Sequence, residues 1–126
     1  MEKTVTVGNV AFGQSQPFAL IAGPCQMESH AHARMICEGL LAACDATKTG
    51  LIFKASYDKA NRTSLKGTRG LGMDKGLQIL SDIRAEYGVP VLTDVHETTH
   101  CAPAAQAVDV LQIPAFLCRQ TDLLLA

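Results

Sequence analysis

Five of the chain's eleven Lys and Arg residues fall between positions 54 and 70, in the stretch KASYDKANRTSLKGTRG. They are Lys54, Lys59, Arg62, Lys66 and Arg69, spaced by small residues and amides. Fixed cations at this density bind anions. A solvated charged loop is the alternative, and three features count against it. Lys54 follows Leu51, Ile52 and Phe53, and a lone charge inside an apolar strand is costly without a partner. Asn61, Arg62, Thr63 and Ser64 form a compact set of donors suited to phosphate oxygens. Glycines 67, 70 and 72 allow close backbone approach. The pattern fits a phosphate or carboxylate site. It does not fit a nucleotide loop, because neither G-x-x-x-x-G-K-[ST] nor a G-x-G-x-x-G after a strand occurs.

A second stretch, HETTH from His96 to His100, matches the HExxH pattern of zinc peptidases. That pattern works on a helix, where both His side chains share a face and the Glu activates water. Here His96 directly follows the apolar run PVLTDV. Thr98 and Thr99 suit an N-cap better than a helix interior, and Pro103 suits a first helical turn. The helix should therefore begin after Glu97. No Glu or His follows His100 to act as a third ligand. The sequence argues against a peptidase. His30 and His32 stand two apart at a helix start, where their side chains diverge, and are expected on a solvated face.

There are five cysteines, Cys25, Cys37, Cys44, Cys101 and Cys118, with no CxxC pair. The odd number makes a disulfide framework a poor fit. Cys37 and Cys44, seven apart in a helical pattern, read as small core hydrophobes. Cys25 follows a strand signal closed by Gly23-Pro24 and is either a buried thiol or a ligand.

These residues need elements to position them. TVTVGNVAF forms two alternating runs about Gly8-Asn9, a small hairpin. Apolar runs at 18–23, 51–56, 90–95 and 108–113 read as strands. Helical stripes fill about 30–47, with Ser29 as N-cap, and 74–87, with Asp74 as N-cap and Gly88 as C-cap. A short helix lies between the last two strands. Alternating strands and helices imply a parallel sheet, and its interior strands are apolar nearly throughout, as burial on both faces requires. Each strand also ends in polar chemistry: Cys25 and Gln26, then Lys54 and Ser56, then Thr93 to Glu97, then Gln112. Such gathering at C-terminal strand ends marks active sites of barrels and open α/β sheets.

A full (β/α)8 barrel needs about 250 residues, and four strand–helix units fill the 126 present. The expected fold class is α/β, the first half of a (β/α)8 TIM barrel. A hairpin would occupy 1–14 and βα units one to four would occupy 18–126, with the chain stopping inside or at the start of its fourth helix. A complete four-stranded open sheet would need covered edges and a finished last helix. The composition is 48% apolar and 18% charged with a formal net charge of -1, which is ordinary for one globular domain. Near-neutral charge and the absence of Trp argue against a nucleic-acid binder. No apolar run approaches a membrane span and no signal-peptide pattern opens the chain, so cytoplasm is the default compartment.

KASYDKANRTS resembles the signature of the 3-deoxy-D-manno-octulosonate 8-phosphate synthases, which supply the Kdo sugar of lipopolysaccharide. FALIAGPCQMES, TRGLGMDKGLQIL, GVPVLTDVHE and VDVLQIPAFLCRQTDLL carry the resemblance along the whole chain. The related synthase of aromatic biosynthesis is less similar, having KPRT where this chain reads Lys59-Ala60-Asn61-Arg62. The resemblance implies condensation of phosphoenolpyruvate with arabinose 5-phosphate. C3 of the enol attacks the sugar aldehyde, water adds at C2, and phosphate leaves by C–O cleavage. It implies that Lys54 and Lys59 contact phosphoenolpyruvate, with Lys59 near the reacting centre. Asn61 would bind a sugar hydroxyl, and Arg62 with Thr63 the sugar phosphate; Thr63 stands where Ser is commoner. Asp94 would bind the sugar, Gln112 the phosphoenolpyruvate region, and Phe116 also lies among the substrate positions. Lys59, Asn61 and Asp94 are the implied catalytic set. Arg119 would reach a sugar phosphate across a subunit interface, implying a homo-oligomer, typically a tetramer. Leu71 stands where Pro is usual.

The family has an Asn form and a Cys form at the end of the first strand, and the Cys form needs a divalent metal. AGPC places Cys25 as a transition-metal ligand by this resemblance. The family's other ligands, a His, a Glu and an Asp, come from the second half of the barrel. This chain is therefore expected neither to hold metal tightly nor to turn over alone. The alternative is a stand-alone half-barrel that binds a sugar phosphate or a partner without catalysis.

Overall fold

The computed structural model describes residues 2–58 and 71–126. In chain order the elements are β1 (Val5–Val7), β2 (Val10–Phe12), β3 (Ala19–Ala22), α1 (His30–Thr47), β4 (Gly50–Lys54), α2 (Met73–Tyr87), β5 (Val91–Asp94), α3 (Thr98–Ala107), β6 (Val110–Gln112), a 3-10 turn (Ala115–Leu117) and α4 (Thr121–Leu125). β1 and β2 pair antiparallel about Gly8 and Asn9, with Gly8 at φ +56 as a tight turn requires. β3 to β6 form one sheet in that spatial order, parallel throughout. This is the mixed α/β arrangement that strand–helix alternation predicts.

The parallel register separates two faces. Leu51, Phe53, Ala55 and Val91 pack with Ala33, Cys37 and Cys44 of α1 and Ile79, Leu80 and Ile83 of α2. Cys37 and Cys44 are buried there. On the other face Ile52 and Leu92 pack against Val10 of the hairpin, with Val7, Phe12, Ala19 and Val110 around them. The hairpin thus covers the N-terminal part of the inner face. Because side chains alternate along a strand, Lys54 shares the face of Ile52. Lys54 pairs with Leu92, Leu92 with Val110, and Asp94 with Gln112. Asp94 and Gln112 therefore lie one layer above Leu92 and Val110, and Lys54 lies level with Leu92, all on the same face.

Helix ends follow local chemistry with some exceptions. Ser29 caps α1, its Oγ accepting from His32 N at 3.1 Å. Gly88 ends α2 at φ +64. Asp74 does not cap α2: Gly72 occupies the N-cap without a side-chain bond, and Asp74 sits in the first turn, where a carboxylate suits the helix dipole. α3 begins directly after Glu97, but Pro103 lies inside the helix rather than in its first turn. Having no N–H, it cannot supply the i+4 donor to the Thr99 carbonyl. β6 starts at Val110, because Val108 closes α3 and Asp109 bonds across to β5. Its Oδ2 accepts from Val91 N at 2.9 Å. His30 and His32 are less solvated than expected, with side chains 43% and 25% exposed, near Asp82 and Glu28.

One contact fixes β3 against β4. A Cβ placed on Gly23 would lie 1.7 Å from the Lys54 carbonyl oxygen. No rotamer relieves a clash with backbone. Gly23→Ala should therefore cost at least the ~1–3 kcal/mol typical of overpacking, measured as a lower urea midpoint. Gly39, in α1 with open space around its Cβ position, provides the contrast. Gly39→Ala should gain roughly 0.5–1 kcal/mol. Equal stability of the two variants would refute the backbone-contact account.

Candidate functional site

The C-terminal ends of β3, β4, β5 and β6 enclose a cavity of about 190 Å3. Cys25, Lys54, Asp94, Gln112 and Phe116, five positions expected at a site, line it. Ser56, Pro114 and Ala115 complete the wall. Each arrives by a different route. Cys25 follows β3 past the Gly23 contact, Lys54 ends β4, Asp94 ends β5, Gln112 ends β6, and Phe116 comes from the 3-10 turn.

Asp94 is the buried charge, 6% exposed. Ser56 Oγ donates a short hydrogen bond to its Oδ1, and His96 Nε2 lies 3.0 Å from its Oδ2. Burial pushes the carboxyl pKa up, but the adjacent His96 imidazole and the hydrogen bond from Ser56 outweigh it and hold the net value below the ordinary one. Asp94 is thus an ionised acceptor suited to a substrate hydroxyl. Thr93, on the opposite face, donates from Oγ1 to the Ala55 carbonyl at 2.8 Å and ties β5 to the end of β4. Lys54, half-buried beside Leu92, brings an ammonium to the same cavity. A fixed cation, an ionised carboxylate, an amide and a thiol together can hold a small polyol bearing anionic groups.

Arg119 is exposed and does not line this cavity. Lys59, Asn61, Arg62 and Thr63 lie outside the described residues, as do Lys66 and Arg69. HETTH is divided: His96 turns to Asp94, and His100 Nδ1 lies 3.2 Å from Tyr57 OH. Among the described residues no group of three or more His, Cys, Asp or Glu side chains could hold a metal ion. All five cysteines are free, with Cys25 exposed. Sequence reasoning noted Ser56 and His96 at strand ends but missed their joint hold on Asp94. The available signal was the two-residue spacing of Asp94 and His96 at a strand end, which points both the same way.

The model of the DAHP synthetase I family matches residues 2–126. The 2-dehydro-3-deoxyphosphooctonate aldolase of Granulibacter bethesdensis is 63% identical over 124 residues, covering 98% of this chain and 44% of that protein. The protein of that name from Nitrobacter winogradskyi is 60% identical over 122 residues, covering 97% of this chain and 42% of its own length. That of Brucella ovis is 59% identical over 123 residues, at 98% and 44%. The chain spans less than half the length of these curated relatives.

The Asp94 environment has a pH signature. A carboxyl with a depressed folded-state pKa adds stability above its unfolded value, near 3.9, and loses it as pH falls through the lower folded value. Asp94→Asn, which keeps the shape, should therefore flatten the acid limb of the stability curve below about pH 5. Urea unfolding at stepped pH reads this directly. Parallel limbs for the two proteins would show that Asp94 is not held ionised by its neighbours.

Proposed function

The chain belongs to the DAHP synthetase I family, and from that premise we propose that it forms the N-terminal half of a 3-deoxy-D-manno-octulosonate 8-phosphate synthase. Its four parallel strands are then the first four of a (β/α)8 barrel, with the hairpin as floor, and residues 1–126 are half of a single domain. The reaction condenses phosphoenolpyruvate, arabinose 5-phosphate and water to the eight-carbon sugar acid phosphate and inorganic phosphate. The observation that carries this reading is the convergence of Cys25, Lys54, Asp94, Gln112 and Phe116 on one cavity at the strand ends. The name shared by the relatives supports the substrate pair.

In this reading Lys54 faces an anionic end of phosphoenolpyruvate, with Gln112 beside it. Asp94, ionised, accepts a hydrogen bond from the sugar and orients the aldehyde for attack by C3. Preorganised charge of this kind steadies charge developing in the transition state. Lys59, Asn61, Arg62 and Thr63 supply the remaining contacts by sequence match, Lys59 nearest the proton transfer. Arg119, exposed, serves a neighbouring subunit in a tetramer. The biosynthetic name that the relatives carry supports a cytoplasmic site. The family's printed name points to the other synthase, but Ala60-Asn61 in place of the Pro-Arg of KPRT favours the eight-carbon product.

Cys25 is proposed as one ligand of a divalent transition metal. The described residues do not fit a complete metal site, since they offer one exposed thiol at the cavity and no cluster of donors.

Calorimetry with phosphoenolpyruvate and a phosphate-release assay test the proposal on the 126-residue chain. The chain should bind phosphoenolpyruvate, and Lys54→Met should weaken that binding by about tenfold or more, the range of one hydrogen bond to a charged group. No phosphate should be released when arabinose 5-phosphate is added. Binding unchanged in Lys54→Met would remove Lys54 from the site. Clear turnover would overturn the half-site reading. Binding of arabinose 5-phosphate by a chain that shows no affinity for phosphoenolpyruvate would favour a half-barrel that binds sugar phosphate and does no chemistry.

A further inference from the structure

The two histidines of HETTH do not share a ligand-binding face; they flank one tyrosine ring. Tyr57 is 1% exposed. Its ring centroid lies 5.5 Å from that of His96 at 75° and 5.8 Å from that of His100 at 65°, both edge-to-face. Its hydroxyl lies 3.2 Å from His100 Nδ1. The ring packs with Leu77 of α2, Cys101 and Ala104 of α3, and Leu123 of α4. Behind it, a Cβ on Gly76 would come within 2.5 Å of the Tyr57 Cβ, so α2 presses directly on its stem. Tyr57 is therefore held from three helices, and His96 is held against Tyr57.

His96 in turn meets Asp94 at 3.0 Å. An imidazole at a strand end can swing between a carboxylate and solvent. An edge-to-face contact with a fixed ring favours one plane over the others. A buried phenol also needs a hydrogen-bond partner, and His100 is the partner present. Burial raises the Tyr57 pKa, so the phenol keeps its proton. The hydroxyl can then donate to His100 Nδ1, an arrangement that calls for the ring tautomer with its proton on Nε2.

We propose that Tyr57 and His100 are positioning residues for Asp94: the Tyr57–His100 hydrogen bond fixes the tyrosine ring, the ring fixes the plane of His96, and His96 Nε2 is thereby kept 3.0 Å from the Asp94 carboxylate. This rests on the proposed function only in taking Asp94 to face the sugar. Neither Tyr57 nor His100 touches the cavity; both act through His96.

Ring nitrogen and carboxyl carbon NMR on the 15N,13C-labelled chain tests this, using wild type, Tyr57→Phe, His100→Gln and, as reference, Asp94→Asn. In wild type His100 should show the Nε2–H tautomer, and in Tyr57→Phe a mixture. The His96 nitrogens should move in Tyr57→Phe and in His100→Gln, although neither residue contacts Asp94, and in the direction seen for Asp94→Asn. His96 signals unmoved in both variants would overturn the relay, as would His96 signals indifferent to Asp94→Asn. Arabinose 5-phosphate is then added to each protein. It should shift the Asp94 carboxyl carbon in wild type, with apparent binding about two- to tenfold weaker in Tyr57→Phe, the range of one net hydrogen bond. Moving His96 signals with no response to the sugar phosphate would sink the substrate assignment and leave the relay standing. A sugar response equal in wild type and Tyr57→Phe, with His96 unmoved, would sink the relay and leave the substrate assignment standing.

Discussion

The register of the parallel sheet governs everything above it. Side chains alternate, so a slip of one residue turns every inner side chain outward. Ile52 and Leu92 must face the hairpin and Val10, because those residues form the inner apolar layer. Once they do, Lys54, Ser56, Asp94 and Gln112 have no choice of side. The apolar layer fixes the polar one, and burial energy spent on the floor orients the chemistry at the rim. The helices enforce the same register from behind through Phe53 and Val91, both 0% exposed.

On that frame the electrostatics are local. A carboxylate as buried as Asp94 would ordinarily be pushed toward the neutral form. Two groups from different strand ends reverse this, the Ser56 hydroxyl after β4 by a hydrogen bond and the His96 imidazole after β5 by its proximity. The ionised state of Asp94 is therefore a property of sheet assembly rather than of any one segment. The same holds for Lys54, whose charge is tolerated in an apolar strand because the strand ends there in a polar cavity.

Much of this was legible in the sequence. The Gly8-Asn9 hairpin, the Ser29 cap, the Gly88 stop and the start of α3 after Glu97 are local signals and appear where the residues put them. Cys25, Lys54, Asp94 and Gln112 could be placed together because parallel strands end on one side. What could not be read was non-local. The pairing of Ser56 with Asp94 spans 38 positions and depends on register that no window of sequence contains. The misplaced Asp74 cap and the interior Pro103 are cases where packing of α2 and α3 overrode local preference. HETTH looked like one motif and proved to be two half-motifs, because the strand-to-helix break falls between its histidines.

The Gly23 contact has a geometric corollary. Pro24 alone separates Gly23 from Cys25, and the atom Gly23 meets belongs to Lys54 itself. The spacing of the main chain behind Cys25 and Lys54 is thus gauged by backbone against backbone, like a ruler with a stop at one end. Repacking the core or replacing a neighbouring side chain leaves that gauge where it is. Any retuning of the cavity for a longer or shorter guest must come from the β5 and β6 side, where side chains rather than main chain set the clearance.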